Sequence, residues 1–135
     1  MLCVDTTFLV DLWRSAGRED AGCVRLLREA GSETFAVPAH AAGEFLEGGA
    51  VVSPRRFNES LEFLRLFALG QVGLETAEHY ARTVADLRTR NVLGGLSKPD
   101  LWIAAWALEH GSPLVTRNTG HFRAIKRLEL IAYDM

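Results

Sequence analysis

Short apolar runs alternate along the chain with longer stretches whose apolar residues recur at helical spacing. Leu2 to Val4 is a brief apolar run ending at Asp5, the pattern of a buried parallel strand. The residues after it predict a helix from Thr7 to about Arg14 and a second from Glu19 to Ala30, with Val24, Leu27 and Ala30 on one face and Gly31 as its stop. Thr34 to Val37 predicts another strand, and Pro38 stands where it can open a helix from His40 to Glu47, closed by Gly48 and Gly49. Over residues 55–69, Phe57, Leu61, Leu64 and Ala68 recur at helical spacing, and Phe63 and Phe67 broaden the stripe. A helix from about Thr76 to Arg90, the loop "NVLGGL", a helix from Ser97 to His110, a strand Leu114 to Thr116 and a last strand near Leu128 to Ala132 complete the series.

Strands separated by helices predict an α/β protein, three layers deep, with a central and mainly parallel sheet. No repeat, low-complexity stretch or linker interrupts residues 1–135, so one domain is expected. Open parallel sheets bind ligands beyond the carboxyl ends of their strands, which makes the residues just past each strand the first candidates. Asp5 stands at the end of the first strand. The stretch "LVTRNTGHF", residues 114–122, turns polar directly after another, with Thr116, Arg117, Asn118, Thr119 and His121 inside six positions.

Composition narrows the function classes. With 48% hydrophobic and 24% charged residues the chain reads as globular, and a formal charge of −2 argues against a general polyanion binder. Only Lys98 and Lys126 among the 15 basic residues are lysines. Arginine's planar fork suits phosphate better than a lysine point charge, although a coding bias would give the same excess. The longest apolar run, Leu101 to Leu108, is too short to span a bilayer, and the start "MLCVDTTFLVDLWR" lacks a basic segment leading into an apolar one. Cys3 and Cys23 lie in apolar surroundings without CxxC or metal-ligand spacing. A reduced, cytoplasmic protein with no membrane association is the expectation.

Three carboxylates come after a strand, or open or line a helix beside one: Asp5, Glu44 and Asp100. Each has a plain structural role open to it. Asp5 can cap the helix near Thr7, Asp100 can complete a capping box in "SKPD", and Glu44 can be a solvated helix residue. If all three converge at the carboxyl edge of the sheet, their repulsion calls for a cation between them. An oxygen-only donor set favours the hard ions Mg²⁺ or Mn²⁺, which act best on phosphates.

Taken together, "VDTTFLVDL", "AAGEFLEG", "KPDLWIAAWALEHG" and "LVTRNTGHF" resemble, in order and spacing over essentially the whole chain, the PIN-domain family, and the small size is similar to its VapC-type toxin branch. The resemblance implies a Mg²⁺- or Mn²⁺-dependent endoribonuclease that acts as the toxin of a toxin–antitoxin pair, blocked by a cognate antitoxin protein and forming a homodimer. It makes Asp5, Glu44 and Asp100 the metal-site acids, Asn118 the occupant of a fourth position where the family often carries Asp, and Thr116 a hydroxyl that orients water or a carboxylate. Two departures accompany it: Thr7 stands where Asn or Ser is common, and His121 where an acid often precedes the phenylalanine. Glu44 is expected to hold a second ion or position water, and the neutral Asn118 weakens the case for two metals. Arg117, Arg123 and Lys98 are candidate contacts to RNA phosphates, and His121 a candidate proton donor. Two other readings remain: a catalytically weakened PIN module acting mainly through protein binding, and a phosphoacceptor receiver-like domain, for which the acidic pair beside the first strand is missing. Trp102 and Trp106, and the stripe on residues 57–69, read as core first and interface second.

Overall fold

A computed structural model describes residues 1–134 of the chain. Five strands, β1 (Leu2–Val4), β2 (Phe35–Pro38), β3 (Ala68–Gly70), β4 (Leu114–Thr116) and β5 (Leu130–Ala132), form one sheet in the order β3-β2-β1-β4-β5. Every pairing is parallel, with Cys3 opposite Ala36 on one side and Leu114 on the other. The helices α1 (Thr6–Arg14), α2 (Gly22–Ala30), α3 (Ala39–Ala50), α4 (Pro54–Leu64), α5 (Leu74–Thr89), α6 (Lys98–His110) and α7 (Thr119–Phe122) cover the sheet in a three-layer α/β/α arrangement. β1 is the central strand and wholly buried, and Asp5 stands at its carboxyl end. No helix among the described residues is long and apolar enough to cross a membrane.

The core fills the space between the inner strands and α1 and α6. Phe8 stacks on Phe35 at 6.0 Å and meets Tyr133 edge-on at 5.2 Å. Offset and edge-on pairs of this kind add about 1 kcal/mol beyond the area they bury. Of the two tryptophans of α6, Trp106 belongs to this core and Trp102 is only half-buried. Trp102 lies between His40 of α3 and Tyr80 of α5, and Trp106 donates from Nε1 to the Gln71 carbonyl at 3.1 Å.

Four expectations shift, each for a physical reason. The helix predicted across residues 55–69 ends at Leu64, and Ala68–Gly70 instead pairs with β2. Phe67 continues the helical stripe in sequence, but the edge of β2 supplies hydrogen bonds that a further helical turn would forgo. Gly48 and Gly49 do not stop α3, which runs to Ala50. A Cβ on Gly49 would lie 3.1 Å from the Arg56 carbonyl, so this glycine lets α3 and α4 approach closely. α2 begins at Gly22 rather than Glu19, because residues 15–21 are taken up by turns in which Arg18 donates to Ser15 and Ala21 to Arg18. The polar stretch after β4 contains the short α7, drawn in by Phe122, which is buried.

Gly70 also has no room for a side chain: a Cβ there would fall 2.5 Å from the Trp106 ring. Gly70→Ala is expected to cost about 1–3 kcal/mol through this overpacking, visible as a lower midpoint in a tryptophan-fluorescence melt. An unchanged melt would show that the ring can move aside.

Candidate active site

The site is built from the residues that leave the carboxyl edge of β1 and β4 and enter the neighbouring helices. Asp5 is the hinge between β1 and α1. Its Oδ1 accepts the Phe8 N–H at 2.9 Å, so the capping role is real, and its Oδ2 accepts the Thr116 hydroxyl at 2.7 Å. The capping and functional readings are therefore compatible in one carboxylate. Thr116 in turn accepts the backbone N–H of Asn118 at 3.0 Å, which turns the chain away from β4. Asp5 is only 3% exposed and Thr116 is fully buried.

Burial pushes the Asp5 carboxyl above its ordinary value of 3.8, against the opposing pull of the Phe8 and Thr116 hydrogen bonds, and the charges of Asp100 and Asp11 push it the same way. Asp100, half-buried in the first turn of α6, donates its backbone N–H to the Ser97 hydroxyl at 3.2 Å. That helix start therefore holds the Asp100 carboxylate within charge range of Asp5. Glu44 is exposed on α3 and accepts the Thr6 hydroxyl at 2.6 Å, which ties it to the residue next to Asp5.

The remaining candidates differ in how they are held. Arg117 is not free at the edge: its Nε lies 3.2 Å from Asp11 Oδ2. The same oxygen of Asp11 accepts the Tyr133 hydroxyl at 2.7 Å. Burial first, and then Asp11, raise the Tyr133 phenol, so it stays protonated and donates. His121, exposed, donates from Nε2 to the Gly95 carbonyl at 3.1 Å, which closes the loop before α6 over α7. Asn118 is exposed, and only its backbone N–H joins the Asp5–Thr116 chain. Lys98 and Arg123 are exposed, and neither has a carboxylate within salt-bridge distance among the described residues.

Asp11 and Tyr133 escaped the reading of the sequence. The available signal was the acid inside "LVDLW", an apolar helical stretch in which a carboxylate needs a buried partner. Thr6 escaped because nothing local marks a threonine that reaches a residue 38 positions away.

All the candidate donors are oxygens, the chemistry Mg²⁺ and Mn²⁺ prefer. Among the described residues no three His, Cys, Asp or Glu side chains are gathered closely enough to enclose an ion by themselves. Mg²⁺ keeps several waters and takes only one or two carboxylates, a demand that the oxygen donors Asp5 and Asp100 suit in chemistry.

A parallel α/β sheet with a buried acid at the carboxyl end of its central strand defines a class of proteins, and comparison with known proteins identifies which. The PIN domain model matches residues 2–128, and the chain belongs to the PIN domain family. It is 29% identical over 134 residues, covering 98% of this chain and 87% of the relative, to the protein named ribonuclease VapC1 of Methanocaldococcus jannaschii. Its fold matches the crystal structure of VapBC2 from Rickettsia felis bound to a DNA fragment from their promoter, with a TM-score of 0.86 at 20% identity over 98% of both chains. It also matches the structure of FitAcB from Neisseria gonorrhoeae, with a TM-score of 0.80 at 25% identity over 97% of both chains.

Proposed function

We propose that this chain is a Mg²⁺- or Mn²⁺-dependent endoribonuclease of the VapC type, the toxin of a toxin–antitoxin pair, held in check by a cognate antitoxin protein and acting as a homodimer in the cytoplasm. The observation that carries the reading is the Thr116–Asp5 hydrogen bond. It joins the polar stretch after β4 to the carboxylate at the end of β1, beside a second carboxylate whose charge Asp5 feels. The likeness to the M. jannaschii ribonuclease and to the two-protein VapBC assembly supports the activity and the partner.

In this reading Asp5 and Asp100 would hold the ion, Glu44 would hold a second ion or position water, and Thr116 fixes the Asp5 carboxylate through its hydrogen bond to Oδ2. A bound divalent ion would neutralise charge on the scissile phosphate and make a water more acidic. Arg117, steadied through its Nε by Asp11, offers the rest of its guanidinium to a phosphate, and Lys98 and Arg123 add positive charge on either side. Exposed apolar residues at Leu66, Leu69 and Leu74 offer area for a protein partner.

One observation favours the second reading, a weakened module acting through protein binding: among the described residues no three acids close around one ion. Purified, antitoxin-free protein incubated with RNA and Mn²⁺ separates the two. Cleavage that EDTA stops supports the enzyme, and intact RNA with retained antitoxin binding supports the module. Within the enzyme reading, Lys98→Ala is expected to weaken RNA binding uniformly across sequences and to lower the slope of log affinity against log salt by about 1. An unchanged slope would remove Lys98 from the interface.

A further inference from the structure

At the opposite, amino edge of the sheet lies a cavity of about 440 Å³, between α5, the end of α6 and the segment leading into β5. It shares no residue with the acidic site. We infer that it is a binding site for a nucleoside monophosphate, with Arg82 and Arg127 on the phosphate and an apolar floor under the base.

The accessible apolar floor is made by the half-buried Leu108 and Leu128, backed by Ala107 and Ile125. Ala107 and Ile125 are almost wholly withdrawn from solvent, so this wall is firmly packed rather than a loose surface dip. The rest of the lining is polar, with His79, Thr83 and Ser112 beside the charged groups, and concave sites of this size with convergent polar groups are the usual place for a small ligand. The cationic groups at its rim are Arg82, Lys126 and Arg127, with Asp86 and Glu129 as the facing acids.

How those charges are already engaged decides what the cavity takes. Asp86 is occupied: Arg90 donates to its Oδ2 from Nε at 3.0 Å and from a second guanidinium nitrogen, and Lys126 stands 4.0 Å from its Oδ1. Arg82 and Arg127 have no carboxylate within that range among the described residues, whereas most arginines of this chain do. Two unneutralised forks over an apolar floor suit a phosphate attached to a ring. Glu129 is then the acceptor for ribose hydroxyls, a role carboxylates play in nucleotide sites. Arg127 also holds a left-handed backbone, φ 69°, which an arginine adopts only where surrounding structure imposes it.

The same chemistry is presented by a free nucleotide and by one nucleotide of a longer RNA, and titration calorimetry on the full chain in EDTA separates them. The probes are AMP, inorganic phosphate and a short single-stranded oligoribonucleotide. The variants are Arg82→Gln and Arg127→Gly, the second of which suits the positive φ and leaves the fold undisturbed. Saturable AMP binding that each variant weakens about tenfold supports a free nucleotide. Oligoribonucleotide binding weakened by both, with no AMP binding, supports a nucleotide of RNA. No saturable binding of either, binding indifferent to both variants, or phosphate binding as tightly as AMP would overturn the inference. RNA cleavage plays no part in these readouts, so failure of the ribonuclease reading leaves them unaffected.

Discussion

Asp5→Asn is expected to lose RNA cleavage by about a thousandfold or more, the scale for removing one member of a catalytic unit, while making the metal-free protein more stable. Both effects have one cause. Burial and the charges of Asp100 and Asp11 raise the native Asp5 carboxyl above 3.8, so the folded state binds its proton more tightly than the unfolded chain does. For a group shifted in that direction, the stabilising contribution is fully present below the unfolded value and is lost as pH rises through the raised native value. At neutral pH the ionised Asp5 therefore costs stability. An asparagine removes that charge and still accepts the Phe8 N–H that caps α1. The gain is expected at about 1 kcal/mol at pH 7 in EDTA, and it should shrink as the pH falls through the raised native value towards the ordinary 3.8, below which nothing of it remains. Urea unfolding of both proteins across that range is the check. A variant less stable than wild type at pH 7 would mean that the Asp5 charge supports the fold.

Asp11→Ala is expected to cost about 2 kcal/mol, chiefly because the buried Tyr133 hydroxyl loses its acceptor. Arg117, whose side chain is 40% exposed, regains water and adds little to that loss. Tyr133→Phe in the Asp11→Ala background should then restore most of that loss, since it removes the hydroxyl left without a partner. Function separates the two halves of the network. Releasing Arg117 should raise KM for RNA several-fold with kcat nearly kept, because phosphate positioning is lost and the acids are untouched. Tyr133→Phe alone, which leaves the Asp11–Arg117 pair intact, should keep KM. A fall in kcat at constant KM in Asp11→Ala would show that Asp11 acts on the acidic group instead.

The parts of this molecule readable in the sequence were those whose signal is local. β1, β4 and α6 announced themselves through apolar runs and a serine cap, and Asp5 and Asp100 were picked out because they lie at the ends of such elements. β3 was hidden because Phe67 and Ala68 keep helical spacing, and only the edge of β2 makes Ala68 part of a strand. The glycines of α3 read as a stop, whereas Gly49 is set by the approach of α4. The site divided in the same way. Thr116 and Asp5 are 111 positions apart and were linked through their place at strand ends. The Asp11–Tyr133 bond spans 122 positions, and nothing at either residue marks the other.

A ribonuclease of the proposed kind needs the carboxylates of Asp5 and Asp100 to act together on one divalent ion, and a calorimetric titration of Mn²⁺ into the antitoxin-free protein tests that most directly. Wild type is expected to bind one ion, and Asp5→Asn and Asp100→Asn each to weaken that binding by about tenfold or more. Mn²⁺ bound as tightly by Asp5→Asn as by wild type would contradict it.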